Sequence, residues 1–243
     1  MRANLGKNII LDLCGGSGAW SQPYKQAGFD AKNITLPGCD VNRVYIGHGA
    51  LRFEVMNTQN LEFITVPYEC IYGILAAPPC TEFSVAKGAG PRDFCKGMET
   101  IQACMKIIWE TQKRTKLEFW ALENPRGLLR RFLGVPKFTF EQWQFGGDKV
   151  KATDIWGYFN PPTPTVKKRP ADLVVTFPNG RSNARDWTKP HVPREYTEYV
   201  QQFSTHDERR AAARAITPAG FAQAFFRANS RKREGLGSEK KAL

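Results

Sequence analysis

Three short groups of residues in this sequence have the types and spacing to do chemistry. Cys80 follows Pro78 and Pro79, with Thr81, Glu82 and Ser84 close behind it. A thiol in such a place could act as a nucleophile, or could be a small buried apolar group and nothing more. Glu123 stands before Asn124-Pro125-Arg126-Gly127. Its carboxyl could give or take a proton, or could only cap the next helix. Asp12-Leu13-Cys14 runs into Gly15-Gly16-Ser17-Gly18. Glycines in such a turn permit positive φ and close approach of the backbone to a ligand, though the same turn is also an ordinary route from strand to helix.

Each group needs an element to hold it. Residues 71–77 form an apolar run without charge, which suits a strand buried on both faces. Two prolines end it, since neither can donate to a sheet ladder and each keeps the residue before it extended. Cys80 is therefore expected just past the carboxyl end of a buried strand, where open α/β sheets keep their ligands. Residues 8–14 read as a first buried strand, with a helix beginning near Ala19. The turn between them lacks the G-x-G-x-x-G spacing of a dinucleotide site and the Gly-Lys-Ser/Thr of a nucleotide-phosphate loop. Residues 31–36 read as a second strand. The turn over 37–41 sets the carboxylate of Asp40 where the ribose or adenine of a cofactor would lie.

Further along, residues 51–66 read as an inserted hairpin. Residues 86–92, small and basic, read as a loop able to close over a substrate or as an ordinary mobile loop. Residues 93–115 have helical spacing, with Met98, Ile101, Met105, Ile108 and Trp109 as a core stripe. Residues 117–122 make the next strand, so Glu123 at its carboxyl end should face the crevice that holds Cys80. Residues 138–145 lead through Gly146-Gly147 to a hairpin over 148–156 that displays Lys149 and Lys151.

The 243 residues, 42% of them hydrophobic, are enough for a substantial core. No apolar run approaches the roughly 20 residues of a membrane span. The first residues lack the apolar region of a signal peptide, which points to a cytoplasm. The 6 cysteines form no Cys-x-x-Cys pair and the 3 histidines lie far from them, which argues against a metal site and for free thiols. The net charge of +12 is uneven, because residues 1–79 carry six basic and six acidic side chains while 29 basic and 17 acidic ones follow. A neutral first part suits a small cofactor and a basic second part a polyanion, with a solvated basic surface as the plain alternative.

Within 160–207 prolines recur and Asn179-Gly180 marks a turn. There Arg181, Arg185 and other cations interleave with Phe177, Trp187 and Tyr196, a mixture that suits phosphate contact plus base contact. Trp187 reads either as a stacking group or as the anchor of a small lobe. Residues 209–228 read as a helix broken at Thr217-Pro218, and residues 231–243 as a disordered basic tail.

Four segments thus stand in one order: Asp12 to Gly18, Pro78-Pro79-Cys80, Glu123-Asn124-Pro125, and the hairpin with Lys149 and Lys151. Thr217-Pro218-Ala219-Gly220-Phe221-Ala222 comes after them near the end. In this order they resemble the DNA cytosine-5 methyltransferases, most closely the compact phage-type members, from the first strand to about Asn229. The resemblance implies an α/β fold of the Rossmann-like class I S-adenosylmethionine-dependent kind with a small target-recognition lobe. The catalytic core would cover 1–159 and the lobe 160–207. A C-terminal helix over 208–230 would return to the core, ahead of a tail over 231–243.

It also implies roles. Cys80 would be the nucleophile, Glu123 the partner of N3 of cytosine, and Lys151 the match to the first arginine of the family's Gln-x-Arg-x-Arg. Asp12, Cys14, Gly15, Gly16, Ser17, Gly18, Asp40 and Pro78 would hold S-adenosyl-L-methionine or a derivative of it. Lys149, Arg181, Arg185 and Trp187 would meet double-stranded DNA. Such a protein would be a monomer in the cytoplasm of a bacterium or phage-infected host, without membrane or metal. The chain departs from the family in having Glu-Asn-Pro for Glu-Asn-Val, in its lysines, in the missing acidic residue after the second strand and in the missing Gly-Asn of the last helix. Three alternatives stay open: the same chemistry with a modified donor, a thymidylate-synthase-type enzyme acting on a pyrimidine nucleotide, and a catalytically silent DNA-binding relative.

Overall fold

Mainly apolar runs become the centre of the main sheet. In the computed structural model, which describes residues 6–56, 58–87, 90–176, 182–184 and 192–230, β1 (Ile9–Leu13) is buried along its whole length. It pairs in parallel with β2 (Asp30–Ile34) on one side. A second sheet of β3 (Cys39–Ile46), β4 (Ala50–Val55) and β5 (Glu62–Pro67) intervenes before the chain returns. It returns as β6 (Ile71–Ala76), also buried throughout, parallel to β1 on its other side. β7 (Phe119–Pro125) continues in parallel. β9 (Ala152–Tyr158) runs antiparallel to both β7 and β8 (Phe138–Glu141), giving the order β2-β1-β6-β7-β9-β8. A mixed, mostly parallel sheet of six strands in an α/β chain is compatible with a Rossmann-like fold.

Apolar layers cover both faces. On one, α2 (Phe94–Gln112) buries Ile101, Cys104, Ile107 and Ile108 in a cluster with Leu11, Leu13, Ile74 and Leu122. The helix starts where the Asp93 carboxylate accepts from the Lys96 N–H at 2.9 Å, a cap that contributes about 1 kcal/mol. The stripe sits slightly round from its expected line: Met98 and Met105 are only partly buried, and Trp109 is 55% exposed. On the other face, α1 (Gln22–Gln26) and α6 (Ala219–Asn229) bury Tyr24, Phe221 and Phe225 among Phe119 and Phe140. Phe140 and Phe221 stack at 4.1 Å, their planes 9° apart. Burying each such ring contributes about 2–3 kcal/mol.

The second sheet packs Leu51, Phe53 and Val66 into the α2 cluster. The hairpin expected over 51–66 is therefore two strands of three. β3 has no clean alternation in sequence because its register shifts between Cys39 and Val44. A second correction concerns 148–156. The hairpin is made by β8 and β9, with a tight turn at Gln142–Phe145 between them, so Lys149 and Lys151 lie in the connection and not on a strand.

After α3 (Arg130–Leu133) and the β8–β9 pair, the chain enters the small β10 (Val174–Thr176) and β11 (Ser182–Ala184) hairpin. It continues through α4 (Thr197–Gln201) to α5 (His206–Ala215), whose start is closed by reciprocal Thr205 and Glu208 hydrogen bonds. The break expected at Thr217-Pro218 separates α5 from α6. Val200, Ala212 and Ala213 pack with Ala19, so α4 and α5 rest on the core beside the glycine turn. The far end of α6 is clasped to the chain leaving β9. Asn229 Oδ1 accepts from the Asn160 N–H at 2.7 Å, and Asn229 Nδ2 donates to the Asn160 carbonyl at 3.0 Å. Among the described residues, no helix is long and apolar enough to cross a membrane.

Candidate active site

The order of the sheet decides where a ligand can sit. From β1 the chain moves outward to β2, then returns to β6 on the opposite side of β1, leaving a crevice outside the carboxyl ends of β1 and β6. Leu13 and Ala76 are register partners there, and the Ala77 N–H donates to the Leu13 carbonyl at 2.9 Å. Both the glycine turn and Pro78-Pro79-Cys80 therefore leave the sheet at this crevice.

Cys80 is partly buried. Its carbonyl accepts from the N–H groups of Phe83 and Ser84 at 2.9 and 2.8 Å, so the thiol stands at the start of a tight turn. The residues beyond it are tied back: Arg92 donates to the carbonyls of Glu82 and Ser84 at 2.7 and 3.0 Å, and the Lys87 ammonium meets the Glu82 carboxylate at 2.6 Å. In this state the basic side chains of the 86–92 loop brace the turn that carries Cys80.

Glu123 follows Leu122, the register partner of Ala76, at the carboxyl end of the adjacent parallel strand. The next residue, Asn124, is fully buried and donates from Nδ2 to the Pro78 carbonyl at 3.0 Å, locking the two strand ends together. Burial pushes the Glu123 carboxyl above its ordinary range; Lys151 pulls it down, and Asp154 adds to the rise. Burial likewise pushes the Cys80 thiol up, Lys151 pulls it down, Glu123 raises it and Arg214 lowers it. The structure thus brings Cys80, Glu123 and Lys151 within electrostatic reach of one another. Lys151 is itself pinned, its Nζ donating to the Arg214 carbonyl at 3.3 Å.

Comparison with models of known families and with curated proteins finds no match. The chemistry open to this chain must therefore be read from the geometry of the site.

The glycine turn is a fitting cradle for a small ligand. Cys14, Gly16 and Gly18 all take positive φ, at 55°, 55° and 71°, and a side chain at either glycine would be strained. A Cβ on Gly15 would lie 2.3 Å from the Asp12 carboxyl carbon. Asp12 is fully buried; one oxygen accepts from the Ser21 hydroxyl at 2.5 Å and the other has no partner among the described residues. Burial raises its pKa from 3.8 to about 6. Ser17 accepts from the Ala19 N–H at 3.4 Å, while the Gly16 amide and carbonyl are held by Thr35 and Asn33 at the end of β2.

Other expected residues fall elsewhere. Asp40 lies inside β3, not in a turn leaving β2, and its Oδ1 is taken by the backbone and side-chain nitrogens of Asn42 at 2.9 Å. Lys149 lines a separate cavity of about 450 Å³ together with Gln142, Phe145, Tyr196, Ile216 and Thr217, with neither Cys80 nor Glu123 in its walls. Arg181, Arg185, Trp187 and the tail over 231–243 lie outside the described residues. Arg214, unmarked in the sequence except by its place just before the helix break, is a residue of the site that sequence reasoning missed. So is Asp154, opposite Asn124 on β9, which Arg130 grips through Nε and Nη2 at 2.6 and 2.5 Å.

Proposed function

We propose that the protein is a DNA (cytosine-5-)-methyltransferase that works through a covalent adduct on Cys80. The observation that carries this reading is the meeting of a thiol, a carboxyl held towards its protonated form and an ammonium group, at adjacent strand ends beside a glycine cradle. Carbon 5 of cytosine is a poor nucleophile in the intact ring. Addition of the Cys80 thiolate to carbon 6 makes carbon 5 electron-rich and puts negative charge on N3. Glu123, whose carboxyl burial shifts towards the protonated form, would donate a proton to N3 as that charge develops. Lys151 supports the thiolate form of Cys80 during the same step. Asn124 keeps the two strand ends in register while this happens.

The residues of the glycine turn fit S-adenosyl-L-methionine, or a derivative, which would supply an electrophilic methyl group when bound. Cys14, Gly15, Gly16, Ser17 and Gly18, with Asp12 beneath them and Pro78 at the neighbouring strand end, would hold it. Once carbon 5 has taken the methyl group, N3 returns its proton to Glu123, carbon 5 loses its own proton to solvent base, and the Cys80 sulfur leaves carbon 6 as thiolate to restore the double bond. The target base must leave the duplex to reach such a pocket. The excess of basic residues after Cys80 supports double-stranded DNA as the partner.

Nucleoside mass spectrometry of DNA from cells expressing the protein should reveal 5-methylcytosine, and Cys80→Ser should abolish it. A duplex containing 5-fluorocytosine should be trapped on Cys80, since carbon 5 then bears no removable proton. Unmodified cytosine in DNA exposed to active, folded protein, or an adduct on another cysteine, would overturn the reading.

A further inference from the structure

The glycine turn does not complete a binding site by itself. The N–H groups of Cys14, Gly16 and Gly18 already have partners: the Ile34 carbonyl at 2.8 Å, the Thr35 hydroxyl at 3.2 Å and the Gly15 carbonyl at 2.9 Å. The Ala19 N–H donates to the Ser17 hydroxyl at 3.4 Å, and the Gly16 carbonyl accepts from Asn33 Nδ2 at 2.9 Å. A ligand that comes close to the Gly16 backbone therefore finds both its polar groups in use. What stands against Gly16 instead is the hydroxyl of Tyr199. A Cβ on Gly16 would lie 2.8 Å from that oxygen, so the tyrosine requires a glycine here as much as the φ of 55° does. Tyr199 belongs to α4; its ring meets Phe203 edge-on at 5.5 Å and packs against the cluster of Ala19, Val200 and Ile216. The side chain is only partly buried, and none of the described residues takes up its hydroxyl. Burial pushes its pKa up, so it keeps its proton and can both donate and accept. A ligand in the turn would thus meet a firmly held hydroxyl without a protein partner, at a glycine whose own polar groups are spent.

We propose that Tyr199 is a cofactor-binding residue, its hydroxyl closing the glycine turn over S-adenosyl-L-methionine through a hydrogen bond to one of the cofactor's polar groups. The proposal rests on the cytosine-5 reading and adds to it a contact from a distant part of the chain. The turn over 12–18 lies near one end of the sequence and α4 towards the other, so the cofactor joins them. Its binding thereby also steadies α4, which lies within the segment over 160–207 expected to read DNA.

The test measures binding of S-adenosyl-L-methionine to the whole protein, without DNA, by titration calorimetry. Tyr199→Phe keeps the ring and removes only an oxygen that no described residue holds, so the free variant should melt at the wild-type temperature. Its dissociation constant for the cofactor should be about threefold to tenfold higher, the loss of one hydrogen bond. At one fixed cofactor concentration its melting temperature should accordingly rise less than that of the wild type. A packing role alone predicts the reverse, a lower melting temperature with an unchanged dissociation constant, and that result overturns the proposal. Hydrogen exchange on the wild type gives a second measurement that needs no variant. The cofactor should slow amide exchange over Thr197–Gln201 as well as over 12–18; protection confined to the turn overturns the role of Tyr199 equally. Binding by wild type and variant with one affinity overturns that role alone. A folded wild type that binds no S-adenosyl-L-methionine defeats the reading of the turn as a cofactor site, and the role of Tyr199 with it.

Discussion

Replacing Asp12 by asparagine should change how the stability of this protein depends on pH. The carboxyl is fully buried, with Ser21 as its hydrogen-bond partner and one oxygen without a partner among the described residues. Burial is the dominant influence, and it raises the pKa from 3.8 to about 6. Between those values the native chain still holds a proton that the unfolded chain has released. Stability therefore falls as pH rises through that window. A gap of about two pH units, at about 1.4 kcal/mol each, means that ionised Asp12 costs the native state about 3 kcal/mol at pH 7. Asp12→Asn carries no such group. Urea unfolding of both chains at pH 4, 5, 6 and 7.5 isolates the effect, because other groups titrate alike in each and cancel in the difference. The variant's stability relative to the wild type should grow by about 2.4 kcal/mol from pH 4 to pH 7.5, the remainder having been lost below pH 4, where the unfolded carboxyl already ionises. A difference that stays constant across the range would refute the argument.

Three further outcomes are expected. Glu123→Gln should slow the chemical step roughly a hundredfold or more in single-turnover measurements, the scale of a lost acid–base group, with little change in cofactor binding; an unchanged rate removes Glu123 from the mechanism. Arg130→Met should lower the unfolding free energy by about 3 kcal/mol, because it strands the buried Asp154 carboxylate, and wild-type stability in that variant would show that Asp154 finds another partner. Replacing Arg181 and Arg185 together by alanine should reduce the salt slope of duplex binding by about two if each neutralises one phosphate; an unchanged slope would move the DNA contact elsewhere.

What could be read in the sequence was mostly what local chemistry dictates. The uncharged run ending in Pro78-Pro79 suited a buried strand, and β6 indeed ends at Ala76, just before its prolines. Glu123 and Cys80 share an edge because two parallel neighbours must end together. The glycine turn carries the positive φ values its composition allows. The misses came from elements whose order is tertiary. β3 is broken by a register shift that no alternation pattern reveals. Asp40 seemed to lie in a turn because Pro37-Gly38 precedes it, yet a strand begins at Cys39. Arg214 and Asp154 reach the site only through packing, the one from the end of α5 and the other across the β7–β9 ladder. Nothing in their own neighbourhoods distinguishes them from other surface arginines and strand aspartates.

The clasp between Asn160 and Asn229 bears on how such a chain can change over evolutionary time. It joins positions 69 residues apart, so everything between them forms a loop whose two ends are held at one rim of the sheet. Lengthening a closed loop is cheap, with each doubling costing only about 0.6 kcal/mol. Segments of quite different length and sequence can therefore be exchanged between Asn160 and α4 while the strand ends that carry Cys80 and Glu123 stay as they are. If residues 160–207 read DNA as proposed, new sequence preferences can arise there without rebuilding the strand ends that carry Cys80 and Glu123.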